Sequence, residues 1–181
     1  MGKVAIIGGV TCAFTLTALA LVAYHTELRC SSKVGDIKTT ECPSSWEDNC
    51  PGAYAIGGSG EISGTEFSFK YACPWEKETA VLGLIGLSLT QIFLGILLFL
   101  MRGKNLKTPM IALTGLIVPV LLATFGLMIR DLKRGFDFAD DSGTTDGMKP
   151  GTYIANIILL FIGVCLISTG AYLGNKHAGK N

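Results

Sequence analysis

Charge is what long stretches of this 181-residue chain lack. Residues 4–24, 79–101, 108–129 and 151–174 each run for more than 20 residues without one Asp, Glu, Lys, Arg or His. Histidine is scarce, His25 and His177 being the only two, so most acid–base and metal mechanisms lack parts. There is no Ser/His/Asp grouping, HExxH, phosphate loop, GxSxG or Cys-x-x-Cys-His, and no Asn-x-Ser/Thr sequon. The chain therefore reads as a non-enzyme, with no cofactor, no metal and no nucleic-acid partner. Ionisable residues inside the apolar runs would mark proton relays, ion sites or voltage sensors. Their absence argues against a pump or coupled transporter.

What is present is apolar surface: 49% hydrophobic residues against 16% charged, and a mean hydropathy of +0.48. At about 1.5 Å per residue, each uncharged run reaches roughly 30 Å as a helix, the thickness of a bilayer's hydrocarbon core. Only a helix satisfies its own backbone there. The expected fold is an all-α membrane protein, a four-transmembrane-helix bundle with a small disulfide-linked, β-containing outer loop domain at 25–78. A second outer loop is expected at 130–150. The first run has a rival reading as a cleaved signal peptide, with Lys3 ahead of it and the small residues Ala18 and Ala20 near its end. Its length favours a retained helix. Myristoylation is discarded because Ile6 stands where that signal needs Ser or Thr.

Orientation follows from the short flanks. Arg102, Lys104 and Lys107 lie in one connection without an acid, and Lys176 and Lys180 lie in the tail. By the positive-inside rule both termini are expected in the cytoplasm, and for this multi-pass protein the plasma membrane is favoured, with an organelle membrane as the alternative. Residues 25–78 carry nine acidic and five basic residues, net −4, and belong outside. The 130–150 stretch is mixed, with Arg130, Lys133 and Arg134 close to the third run.

Cysteine supports the same sidedness. Cys30, Cys42, Cys50 and Cys73 all fall in the first loop, whereas Cys12 and Cys165 lie within runs. A loop too small for a large core, carrying four thiols, reads as two disulfides in an oxidising compartment. Zinc is the rival, but the loop holds no Cys-x-x-Cys pair. Of three pairings, Cys50–Cys73 is favoured, because the residues between them alternate and turn like a small sheet that such a bridge would close.

Within the runs, small residues mark faces for close helix packing: Gly8, Thr11, Thr15 and Ala18 in the first, Gly163, Gly170 and Gly174 in the fourth. Gln91 and Asn156 are costly to expose to lipid and are expected to face other helices. Pro119 is expected to kink the third helix. Tyr24, Trp75, Tyr153 and Tyr172 lie near run ends, where amphipathic rings favour headgroups. Trp46, four residues before Cys50, is expected to pack on a disulfide as loop core or to serve as a contact residue.

This arrangement, with SSWEDNC placing Trp46 shortly before Cys50, resembles the four-span superfamily of claudins, peripheral myelin proteins and stargazin-like receptor auxiliary subunits. No Gly-Leu precedes Trp46, and Cys30 and Cys42 are additional to that pattern. The resemblance implies partners in the membrane, identical copies or a larger complex, and a role in adhesion, lateral assembly or scaffolding. The alternatives are an accessory subunit of a channel, receptor or energy-converting complex, and an oligomeric channel.

Overall fold

The computed structural model describes residues 2–42, 50, 52–100, 107–141 and 150–178. Trp46 lies outside them. The chain forms helix α1 (Gly2–Tyr24), strands β1 (Arg29–Val34), β2 (Ile37–Thr39), β3 (Ala55–Ile62) and β4 (Thr65–Ala72), then helices α2 (Lys77–Leu100), α3 (Lys107–Asp141) and α4 (Gly151–Ala178). Three helices contain stretches long and apolar enough to cross a membrane: Lys77–Gly95, Thr114–Asp141 and Gly151–Gly170. The fourth, α1, contributes the shorter apolar stretch Gly8–Tyr24.

Each helix packs against two others, so that α1, α2, α3 and α4 form a closed ring. The buried positions show why. Gly8, Thr11, Thr15, Ala18, Val22 and His25 are buried along α1 in alternating steps of three and four. Tyr153, Asn156, Leu160, Gly163 and Ile167 do the same along α4. This is the spacing of a seam between helices in a left-handed bundle. At Gly163 a Cβ would come within 2.9 Å of Thr15 Cγ2, so the missing side chain sets the approach of α4 to α1. Gly170 is half-buried on the same helix, and the packing at Gly174 lies outside the described residues. Gln91 bridges α2 to α1, its Nε2 donating to Thr15 Oγ1 at 2.7 Å and its Oε1 accepting from Cys12 Sγ at 3.1 Å. Asn156 is fully buried, and neither Oδ1 nor Nδ2 has a hydrogen-bond partner among the described residues.

One feature departs from the reading above. Residues 130–141, read as the start of a second outer loop, continue α3 as helix. Their polar composition hid the fact that the buried spacing Ile117, Leu121, Thr124, Met128 carries on through Asp131, Gly135 and Ala139. Helix α3 runs through Pro119, which is exposed.

The four strands form one antiparallel sheet in the order β2-β1-β4-β3. Ser63 (φ 52°) and Gly64 (φ 81°) form the β3–β4 turn, both left-handed, as a tight two-residue hairpin requires. Facing glycines carry the aromatic rings of β4: a Cβ at Gly58 would meet Phe69, and one at Gly60 would meet Phe67. The disulfides are Cys30–Cys42 and Cys50–Cys73. The first ties β1 to the residues after β2, and the second ties the chain ahead of β3 to the end of β4.

Gly163→Val should destabilise the bundle by about 1–3 kcal/mol through overpacking against Thr15. Gly95→Ala, at a site with open space, should leave stability unchanged or raise it by up to about 1 kcal/mol. Thermal unfolding in detergent separates the two.

Candidate functional site: the outer sheet and its seat

The strand ends Arg29, Ala55 and Ala72 pair at one end of the sheet, and this end meets the bundle through four contacts. Backbone bonds start the seat: Trp75 N donates to the His25 carbonyl at 3.0 Å and Cys73 N to the Tyr54 carbonyl at 2.8 Å. From α4, Tyr153 donates its hydroxyl to the Cys73 carbonyl at 2.5 Å and approaches the Tyr54 carbonyl at 3.3 Å. Its ring lies 4.2 Å from His25 and meets Trp75 edge-on at 5.2 Å. His25 Nε2 in turn lies 3.1 Å from Thr152 Oγ1. Trp75 and Tyr153 are therefore interior, whereas Tyr24 and Tyr172 are exposed at the surface as headgroup anchors would be.

The second group centres on Asp131, fully buried on α3. Its Oδ2 accepts from Glu76 N at 3.2 Å and Thr79 Oγ1 at 2.5 Å, so a side chain of α3 caps the N-terminus of α2. Its Oδ1 accepts from Arg130 Nε and Nη2 at 3.0 and 2.9 Å. Arg130 also pairs with Glu76 at 2.8 Å, and Arg134 bonds to the same carboxylate. Two of the cations placed near the third run by sequence are thus neutralised within this layer. The third contact is a close crossing of the 52–54 segment over α3. Ala53 N donates to the Asp131 carbonyl at 3.2 Å. A Cβ at Gly52 (φ +121°) would fall 2.5 Å from that carbonyl, and one at Gly135 would fall 2.9 Å from Tyr54 Cβ. Only glycine fits at both. Fourth, Tyr54, Ile56, Cys73 and Cys50 pack with Leu28, Phe69 and Phe138.

The far end of the sheet is different. Register puts Val34, Ile37, Phe67 and Ile62 on one face beside the two hairpin turns. Val34, Ile37 and Ile62 are 54%, 75% and 66% exposed. Apolar side chains grouped and left open like this mark contact surfaces. Sequence reasoning missed this tip and Asp131 alike; the tip was legible only as isolated apolar residues flanking Gly35-Asp36 and Ser63-Gly64. Among the described residues, no three His, Cys, Asp or Glu side chains gather as a metal-binding group. Comparison with family models, with curated proteins and with solved structures finds no match.

Asp131→Ala should cost about 2–4 kcal/mol, because Arg130, Thr79 Oγ1 and Glu76 N lose their shared acceptor. Thermal unfolding with both disulfides intact reads this directly.

Burial first, and then Arg29 and Lys70, lowers the His25 pKa from 6.5 to about 4. The unfolded chain binds that proton near pH 6.5 and the folded chain only near 4, so stability falls as pH drops through this window and levels off below it. Unfolding midpoints from pH 7.5 to 4 should show this slope, and His25→Gln should flatten it.

Proposed function

We propose that the chain is a non-enzymatic, four-span integral membrane protein whose disulfide-stapled outer sheet makes protein contacts in adhesion or lateral assembly. The observation that carries this reading is the apolar tip of Val34, Ile37 and Ile62, held away from the bundle on a sheet fixed by two disulfides and by α3. A rigid stalk with an apolar end suits contact with another protein. The three long apolar helices support membrane insertion, and the paired Cys30–Cys42 and Cys50–Cys73 support an oxidising compartment on the sheet's side. Arg130 and Arg134, neutralised by Glu76 and Asp131, are compatible with that sidedness, the termini lying on the cytoplasmic side of the plasma membrane.

The chain should stay with membranes through alkaline carbonate extraction. Vesicles displaying the sheet outward should cluster, and Ile37→Lys with Ile62→Lys should abolish clustering while shifting stability by under about 0.5 kcal/mol, as exposed substitutions do. Undiminished clustering by that double variant would remove the tip as the contact surface. Stoichiometric co-purification with a large complex would instead favour the accessory-subunit role.

A further inference from the structure

The outer layer also holds a cleft of about 750 Å³ between the end of α1, the sheet and the start of α4. Its wall includes Tyr24, His25, Glu27, Arg29, Lys70 and Thr152. Arg29 is fixed in place: its Nε donates to the Tyr24 carbonyl at 3.0 Å and its guanidinium lies 4.0 Å over the Tyr24 ring. Neither Arg29 nor Lys70 has a carboxylate partner among the described residues. His25 is 3% exposed and uses Nε2 on Thr152, while its Nδ1 has no hydrogen-bond partner among the described residues. The positive end of the α4 dipole, at Gly151 and Thr152, lies in the same wall. Two cations with no carboxylate partner among the described residues, a buried imidazole and a helix N-terminus thus line one cavity, with Glu27 as the acid of that wall. The influence of both Arg29 and Lys70 on His25 agrees with their facing it across the cleft.

We infer that this cleft binds a phosphate ester, its phosphate held by Arg29 and Lys70, with Glu27 placed to meet the ammonium of a zwitterionic headgroup. Height favours a phospholipid as the source. Tyr24 ends one apolar run and Gly151 begins another, so on the membrane reading, which this inference adopts, the cleft lies at headgroup level. Leu28, Ala55 and Ala72 add an apolar floor for the glycerol end.

The test uses the purified full chain in detergent and native mass spectrometry with three probes: phosphatidylcholine, diacylglycerol of the same acyl chains, and soluble glycerophosphocholine. Phosphatidylcholine should bind and diacylglycerol should not. Arg29→Gln with Lys70→Gln should weaken binding by about tenfold or more, the worth of one charged hydrogen bond. Lys70→Gln alone, at an exposed strand position, should give part of that loss with an unchanged unfolding midpoint. Equal binding of glycerophosphocholine would keep the phosphate site and make a soluble ester its source. Equal binding of diacylglycerol, or wild-type affinity in the double variant, would overturn the inference. Carbonate extraction reports the membrane reading separately, so a chain that stays in the membrane but fails these tests removes the cleft alone.

Discussion

A carboxylate that solvent cannot reach has to be matched by its surroundings, and Asp131 is matched by three different parts of the fold. The chain entering the sheet donates Ala53 N to its backbone carbonyl, while its carboxylate accepts from Glu76 N and Thr79 Oγ1 at the α2 N-terminus and from Arg130 on its own helix, α3. An ion so placed is tolerable only while all of these are present. It therefore couples the angle between α2 and α3 to the position of the chain entering the sheet. The glycines at 52 and 135 serve the same junction by removing every atom that would hold the two backbones apart. The result is that the sheet is an outgrowth of the bundle, with shared polar contacts at its base, and α3 extends past its apolar part to reach it.

How much of this could be read from the sequence depended on the physical signal involved. The three long apolar helices were legible because runs without charge are visible in any composition window. The β3–β4 hairpin was legible from alternation around Ser63-Gly64, and the helix-packing face Gly8, Thr11, Thr15, Ala18 from its three-and-four spacing. The continuation of α3 was missed because it keeps the spacing while changing residue type: Asp131, Gly135 and Ala139 follow Met128 in register but are not apolar in the usual sense. A search by periodicity rather than hydropathy would have found it. Asp131 was hidden for a related reason, since nothing in a single sequence distinguishes a solvated acid from one that caps a helix 50 residues away.

Asn156 shows the opposite case, in which position was legible and partner was not. A carboxamide in a run of Ile and Leu was bound to turn inward, and it does. Its two polar atoms nevertheless have no hydrogen-bond partner among the described residues, at a cost of about 1–3 kcal/mol. Gln91, with one more methylene, reaches across to Thr15 and Cys12.

The seat of the sheet is assembled from chain that is made late. Residues 29–73 contain every strand among the described residues and all four bridging cysteines, so the sheet and the Cys30–Cys42 and Cys50–Cys73 links are complete in covalent terms before α3 is synthesised. Asp131, Gly135 and finally Tyr153, whose hydroxyl closes on Cys73, emerge only afterwards. Until the last helix arrives, the hairpins lack the bond from the Tyr153 hydroxyl to the Cys73 carbonyl. Truncated products ending before α4 would carry a formed but unanchored sheet, which gives a quality-control system a clear feature by which to tell unfinished chains from finished ones.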